Sequence, residues 1–340
     1  MSAPTGQVQT GPHTSTDRAS SAAITADALV KQYGEVTALN GLSLAVAPGT
    51  VFGLLGPNGA GKSTTIKILT TLSRPTSGTA TVAGIDVLRK PDAVRRAIGV
   101  VTQRAGTDPM ATGRENLQLA GRIHGMRGAT VKQRADELLD RFGLTEAANR
   151  VVRTYSGGMA RKLDVALGLM HRPQVLFLDE PTTGLDPQAR SEMWAEISRL
   201  AGEERMTIML TTHYLEEADQ LADRLAIVDR GQLVTEGSPE ELKRELRGDA
   251  VVAELAPGSD LVVARAAIER IGDTRDVTLD GRAVRARVDH GASSVPSVLA
   301  ALEGAGVTAL SITVARPSLD DVYLRHTGRT FAAAEIGASA

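Results

Sequence analysis

One stretch of nine residues restricts the local fold of this chain more than any other: Gly56-Pro57-Asn58-Gly59-Ala60-Gly61-Lys62-Ser63-Thr64. The apolar run 51–55 before it has the pattern of a buried strand, and residues 65–69 after it have helical spacing. Glycines let backbone N–H groups turn inward around an anion, and the following helix directs its positive end at the same point. A strand, a glycine-rich loop and a helix in this order predict a phosphate-binding loop.

Two side chains of this loop carry specific chemistry. Lys62 is placed to reach the β- and γ-phosphates of a bound nucleotide, and the Ser63 hydroxyl is placed to ligate Mg²⁺. The loop therefore predicts that the chain binds nucleotide phosphates together with Mg²⁺. The alternative is a glycine-rich turn that matches the pattern by chance.

Length and composition narrow the class of protein. The chain has 340 residues, enough for about two domains. It has no cysteine, which excludes disulfides, thiol catalysis and cysteine-ligated zinc. The net charge of -2 gives no reason to expect nucleic acid as a partner. No apolar run approaches the roughly 18 residues that span a bilayer, so a cytoplasmic protein is expected, with any membrane role through a partner.

The hydrophobic pattern predicts the domain order. Residues 1–23 have the composition of a disordered tail, and strands alternate with helices over 24–248, which favours a parallel α/β sheet. Within this domain, the hydrophobic pattern of residues at about 106–172 changes to that of consecutive helices, which we interpret as a helical insertion. Residues 249–328 predict a small βαββαβ domain of the ferredoxin-like kind, and 329–340 are expected to be a disordered tail.

Two carboxylates follow the apolar strand 175–178. Asp179 stands at the end of this strand and suits Mg²⁺, and Glu180 stands one residue further, where it can polarise an attacking water. The alternative is an ordinary acidic loop. Downstream of a phosphate loop, the pair favours nucleotide hydrolysis.

Taken together, the motifs resemble those of an ABC-transporter nucleotide-binding domain over roughly 26–246. The matching elements, in chain order, are the phosphate loop 56–64, Gln103, Tyr155-Ser156-Gly157-Gly158-Met159, Leu178-Asp179-Glu180-Pro181, Gly184-Leu185-Asp186 and His213. The resemblance implies a P-loop NTPase with a RecA-like core, an antiparallel β subdomain and a helical insertion. Met159 and Tyr155 depart from the superfamily's commoner glutamine and leucine, and both departures match one subfamily.

The resemblance also implies roles for residues outside the phosphate loop. Ser156, Gly157 and Gly158 would bind the nucleotide held by a second copy of the chain, in a head-to-tail homodimer around two ATP molecules. Ser156 is a natural N-cap of the helix that follows, which makes this helix start a second anion site.

Further roles come from single positions. Gln103 would contact Mg²⁺ or the attacking water, His213 the γ-phosphate, and Tyr33 the adenine ring, while Asp186 would belong to a loop at the dimer interface. The catalytic set is then Glu180, His213 and Gln103, and the metal set is Ser63, Gln103 and Asp179. The alternatives are a packed strand-end tyrosine at 33, a solvated loop glutamine at 103 and a structural histidine at 213.

Within the superfamily the chain resembles the ATP-binding subunits of exporters of the daunorubicin/doxorubicin resistance type. The residues that carry this resemblance are the segment 154–159 and the late motif Pro317-Ser318-Leu319-Asp320-Asp321-Val322-Tyr323-Leu324. It implies an ATPase at the cytoplasmic face of the membrane that powers a separate transmembrane permease and drives drug or antibiotic efflux. Two alternatives remain open: export of lipid, polysaccharide or peptide by the same motor, and a soluble ABC-type switch in translation or DNA repair.

Overall fold

The computed structural model describes residues 22–338, which form two compact units. The first comprises 22–54, 61–212 and 230–232, and the second comprises 55–60, 213–229 and 233–338. Nearly all of the expected N-terminal tail, residues 1–23, lies outside the described residues. No helix in the described range is long and apolar enough to cross a membrane.

The first unit contains eight strands and six helices among its described residues. The strands are β1 (Ile24–Tyr33), β2 (Val36–Val46), β3 (Val51–Leu55), β4 (Ser77–Val82), β5 (Ile85–Asp86), β6 (Ile98–Val101), β7 (Val175–Asp179) and β8 (Thr207–Thr212). The helices are α1 (Lys62–Leu69), α2 (Pro91–Ala97), α3 (Gly113–Ile123), α4 (Gly128–Arg141), α5 (Gly157–Gly168) and α6 (Pro187–Glu204).

The strands of this unit belong to two sheets. Four strands form an antiparallel sheet in the order β2-β1-β4-β5. Strands β3, β8, β7 and β6 are neighbours in a second sheet, with parallel pairing of β6 with β7 and of β7 with β8. All residues of β3 and β8 are buried, because both faces of a parallel sheet are covered. The parallel order brings the carboxyl ends of β3, β7 and β8 to one edge.

The helical insertion predicted at about 106–172 is occupied by α3, α4, a 3-10 turn at Val152–Thr154 and α5. Thr112 caps α3 in a capping box with Glu115, which explains why the helix begins there. Burial follows the three- and four-residue spacing of the sequence, as at Val131, Ala135 and Leu138 of α4.

The second unit contains six strands and six helices among its described residues. The strands are β9 (Arg224–Asp229), β10 (Gln232–Gly237), β11 (Asp249–Leu255), β12 (Arg275–Asp280), β13 (Ala283–Val288) and β14 (Ala309–Ala315). The helices are α7 (Leu215–Leu221), α8 (Pro239–Glu245), α9 (Leu261–Glu269), α10 (Gly291–Gly304), α11 (Leu319–Thr327) and α12 (Phe331–Ala338).

The C-terminal part of this unit confirms the ferredoxin-like expectation. Its elements follow the order β11-α9-β12-β13-α10-β14, and the strands lie in the antiparallel order β12-β13-β11-β14. The core lies between this sheet and helices α9 and α10, with Val251, Val284, Ile268 and Leu302 buried in one cluster. A tight turn after Asp280 joins β12 to β13 as an antiparallel pair.

The chain end differs from its expectation. Residues 329–340 were expected to be a disordered tail, whereas α12 covers most of them, and residues 339–340 lie outside the described range. Phe331 is buried and packs edge-on against Tyr323, with ring centroids 5.0 Å apart. Arg329 forms a two-pronged ion pair with Asp229, at 2.8 and 2.9 Å. These contacts offset the conformational entropy that this alanine-rich segment loses when it becomes a helix.

Candidate nucleotide-binding and hydrolysis site

The phosphate loop links β3 to α1 and depends on its glycines for space as well as for backbone conformation. Gly59 and Gly61 have φ angles of +76° and +105°, in the region that L side chains rarely adopt. A Cβ at Gly56 would lie 2.4 Å from the Val228 carbonyl oxygen, and one at Gly61 would lie 2.7 Å from that of Ala38. No larger side chain fits at either position without moving backbone.

Helix α1 begins directly at Lys62, with Gly61 as its N-cap. Glycine has no side chain to accept a hydrogen bond from the first turn, so the cap leaves those N–H groups for another acceptor. A phosphate group at this point would receive both these donors and the positive end of the helix dipole.

Asp179 is held by two hydroxyl groups at the edge of the parallel sheet. Ser63 Oγ donates to Asp179 Oδ1 at 3.2 Å, and Thr211 Oγ1 donates to the same oxygen at 2.6 Å. The second contact follows from strand register, because Asp179 of β7 pairs with Thr211 of β8. Hydroxyl and carboxylate oxygens are the donors that Mg²⁺ prefers.

The side chains near Asp179 do not by themselves complete the coordination of a metal ion. No group of three histidine, aspartate or glutamate side chains in the described residues could hold a metal ion. The pair Ser63 and Asp179 therefore fits a Mg²⁺ ion that takes further oxygens from nucleotide phosphates and water, as Mg²⁺ does in phosphoryl-transfer sites.

Glu180 is buried, and its backbone has a left-handed φ of +49°. Its Oε1 lies 3.9 Å from Lys62 Nζ. Its Oε2 accepts hydrogen bonds from Gln103 Nε2 and from Thr183 Oγ1, both at 3.2 Å. The Glu180 N–H donates to Thr211 Oγ1 at 3.0 Å. The fold thus brings Lys62, Ser63, Gln103, Asp179 and Glu180 together.

Arg161 of α5 is a site residue that sequence reasoning missed. This guanidinium is buried and donates to the carbonyl oxygens of Thr102 at 2.7 Å and Pro181 at 2.8 Å. It also donates to the carbonyls of Asp179 and Glu180, both at 3.1 Å. Arg161 therefore connects the segment before Gln103 with the segment that bears both carboxylates. The sequence does carry a signal for this role, because Arg161 is a charged residue on the buried face of the amphipathic helix α5.

Ser156, Gly157 and Gly158 lie at the N-terminus of α5. Ser156 is the N-cap, and its Oγ accepts a hydrogen bond from the Met159 N–H at 3.2 Å. A Cβ at Gly158 would lie 2.9 Å from Cβ of Ala189 in α6, so glycine permits the close approach of the two helices. Asp186 is the N-cap of α6, where its Oδ1 accepts from the Ala189 N–H at 2.9 Å.

Tyr33 and His213 are the aromatic members of the predicted set. Tyr33 ends β1 and is 46% exposed, and Lys31 Nζ lies 4.7 Å from the centre of its ring. An exposed ring at a strand end is available for stacking. His213 follows β8 directly, and its ring lies against that of Tyr214 with centroids 4.1 Å apart.

Comparison with known proteins gives two family matches. Residues 39–183 match the ABC transporter family, and residues 237–327 match the family described as ATP-binding protein DrrA1-3-like, C-terminal domain. The chain is similar to the daunorubicin resistance ATP-binding protein DrrA3 of Streptomyces coeruleorubidus, with 47% identity over 306 residues, 90% of this chain and 96% of that protein. It is 36% identical to the linearmycin resistance ATP-binding protein LnrL of Bacillus subtilis strain 168 over 307 residues, 90% and 98% of the two chains.

A solved structure matches the ATP-binding part. It is the dimeric post-hydrolysis state of the ATP-binding cassette MJ0796, bound to ADP and Pi, with a TM-score of 0.58 and 26% identity. The match covers 63% of this chain and 98% of that cassette.

Proposed function

The chain belongs to the ABC transporter family of ATP-binding proteins, and on this premise we propose that it hydrolyses ATP to power a separate permease that exports a drug or antibiotic. Family membership makes it an ABC-type ATPase that binds ATP. Strand order and the matched cassette agree with the expected fold. The observation that carries the proposal is the convergence of Lys62, Ser63, Gln103, Asp179 and Glu180 at one sheet edge.

In this proposal the phosphate loop, residues 56–64, holds the ATP phosphates. The N–H groups at the start of α1 and the Lys62 ammonium would neutralise the β- and γ-phosphates. Ser63, Asp179 and Gln103 would hold Mg²⁺, which would offset the charge of the phosphates when it is bound. Thr211 orients the Asp179 carboxylate by its short hydrogen bond.

Glu180 acts as the base that orients and activates the attacking water. Its neighbour Lys62 lies at 3.9 Å, so a γ-phosphate that attracts the Lys62 ammonium weakens this ion pair and leaves the carboxylate for the water. Gln103 and Thr183 hold Oε2 and thereby set the direction of the other oxygen. His213, directly after β8, would donate to the γ-phosphate.

The second set of nucleotide contacts comes from another copy of the chain. Ser156, Gly157 and Gly158 form a helix N-terminus that suits an anion but belongs to a different segment from the phosphate loop. A head-to-tail homodimer lets each copy supply this helix start to the ATP held by the other, with Asp186 at the interface. The dimeric form of the similar cassette MJ0796 supports this arrangement. Tyr33 would stack on the adenine ring.

The permease would dock on a cleft of about 520 Å³ in the first unit. Three of its lining residues, Leu72, Leu119 and Ile123, are 65%, 54% and 73% exposed. Large apolar side chains grouped at a concave surface are typical of a protein interface. His124 and His171 also line this cleft, and their rings are stacked with centroids 3.7 Å apart.

We propose a drug as the cargo because two of the similar proteins are named as resistance proteins, one for daunorubicin and one for linearmycin. Purification of the membrane protein that accompanies this chain, followed by export assays with drugs, lipids, polysaccharides and peptides, identifies the cargo class. Export of only a lipid, polysaccharide or peptide would overturn the drug assignment and leave the ATPase intact.

Substitution of Glu180 by Gln tests the mechanism. The amide cannot accept a proton, so ATP turnover should be abolished while ATP binding persists and an ATP-bound dimer accumulates. Phosphate release and size-exclusion chromatography with ATP measure the two effects. Glu192→Gln is the matched control, since Glu192 is an exposed partner of Lys162 and should leave turnover unchanged. Near-normal hydrolysis by Glu180→Gln would contradict the assigned role.

A further inference from the structure

We propose that the second unit carries a binding site for a phosphorylated small molecule in an arginine-lined cavity. This cavity has a volume of about 490 Å³ and lies against strands β12 and β13 and helices α9 and α11. Its five arginines are Arg265, Arg275, Arg285, Arg287 and Arg325. The inference concerns a separate ligand and does not rest on the proposed ATPase mechanism.

The alternation of β13 places two arginines on the face opposite the core. Val284, Ala286 and Val288 are buried in the cluster formed with α9 and α10. Arg285 and Arg287 alternate with them and so lie on the other face of the sheet, where Asp321 of α11 meets both. Arg287 Nη2 lies 3.0 Å from Asp321 Oδ2, and Arg285 pairs with Oδ1 of the same carboxylate.

The charges of the cavity do not balance. Its lining holds three carboxylates, Glu269, Asp276 and Asp321, against five guanidinium groups, and Asp289, outside the lining, pairs with Arg275, which leaves one positive charge in excess. Arg325 donates to the Glu245 carbonyl oxygen at 3.0 Å and makes no ion pair within the described part of the chain. Burial lowers the pKa of the Arg287 guanidinium, and the charges of Arg285 and Arg325 lower it further.

One carboxylate is therefore shared by two arginines while a third arginine nearby has none. Of the five arginines only Arg287 is buried, and a buried guanidinium costs free energy unless an anion compensates its charge. An ion-pair cluster that served only to attach α11 to the sheet would need no more positive charges than negative ones. The excess favours a site that takes up an anion.

The shape and chemistry of the lining favour a phosphate ester over a simple ion. Planar guanidinium groups offer paired N–H donors that match phosphate oxygens. Leu246, Val277 and Leu324 supply an apolar wall for an organic moiety, and the volume exceeds the need of one inorganic ion. The edge strand β12 is irregular between Arg275 and Thr278, where Asp276 has a φ of +48°. Such bulges redirect side chains near binding sites.

Calorimetric titration of the full chain with inorganic pyrophosphate tests the site. The phosphate loop is first saturated with ADP and Mg²⁺, so that it does not contribute heat. We expect saturable binding, weakened about tenfold or more in Arg325→Met, because one charge-assisted contact is lost. Arg325 is chosen since its side chain makes no ion pair in the described range, so the variant should fold normally, which thermal unfolding checks.

The matched control is Arg282→Met, in the same unit. Arg282 is 55% exposed at its side chain, pairs with Glu254 and does not line the cavity, so pyrophosphate affinity should stay unchanged. Absence of saturable binding would overturn the proposal, as would an equal loss in both variants. Binding only to vesicles that contain phosphatidic acid, with none to pyrophosphate, would assign the surface to lipid headgroups and also overturn it.

Discussion

Replacement of Arg161 by methionine separates the positioning of the site from its ability to hold ATP. Arg161 is buried and donates to the carbonyls of Thr102, Asp179, Glu180 and Pro181. Thr102 directly precedes Gln103, so one guanidinium joins the segment that bears Gln103 to the segment that bears Glu180. Methionine keeps the apolar stem of the side chain and removes every donor.

The expected magnitude follows from these four bonds. The two contacts at 3.1 Å share Arg161 Nη2, so the four act as about three independent bonds. At about 1 kcal/mol each, the free energy of unfolding should fall by roughly 3 kcal/mol. A shift of about 1 Å at Glu180 or Gln103 is enough to slow turnover about 100-fold. ATP affinity should change little, because Lys62 and Ser63 keep their contacts.

The assay combines urea denaturation, ATP binding and steady-state phosphate release. Arg172→Met is the control, because Arg172 is 71% exposed and its ion pair with Glu137 should contribute less than about 1 kcal/mol. Turnover within about twofold of the unmodified chain, in a variant that has lost the expected stability, would refute the positioning role. An unchanged free energy of unfolding would contradict the contribution assigned to the Arg161 hydrogen bonds.

Two further predictions concern stability. Burial, with a smaller contribution from His124, lowers the pKa of His171 to about 4. The unfolded chain therefore takes up a proton below pH 6.5 that the folded chain does not, and stability falls as the pH falls. Between pH 7 and 5 the unmodified chain should lose about 2 kcal/mol more than His171→Asn in urea denaturation, and equal losses would contradict this. Phe331→Ala should cost about 3 kcal/mol by the same measurement, because a buried ring against Tyr323 is lost; a cost below about 1 kcal/mol would mean that α12 is not anchored.

The phosphate loop and the strand-end carboxylates could be predicted because their signals are local. Glycine spacing defines the loop, and parallel strands bring their carboxyl ends to one edge. Lys62, Ser63 and Asp179 therefore meet because β3 and β7 lie in one sheet with only β8 between them. The βαββαβ order was equally accessible, since each element carries its own period and turn residues.

Other features depend on contacts that carry no local pattern. Arg161 binds main-chain carbonyls, and a carbonyl acceptor belongs to every residue type, so nothing in the sequence marks its targets. The left-handed backbone at Glu180 results from the surrounding hydrogen bonds and not from a glycine. Helix α12 has little polar alternation, and its order depends on Phe331 and Arg329 finding Tyr323 and Asp229.

The backbone of Glu180 also restricts how this position can evolve. Asparagine, aspartate and glycine adopt a φ near +49° more readily than other residues, whereas β-branched residues adopt it poorly. A lineage that no longer needs hydrolysis can thus drift to asparagine or glycine and keep a folded protein that still holds ATP. Drift to valine or isoleucine would lose the folded protein together with the reaction, so inactive descendants should retain small polar residues or glycine here.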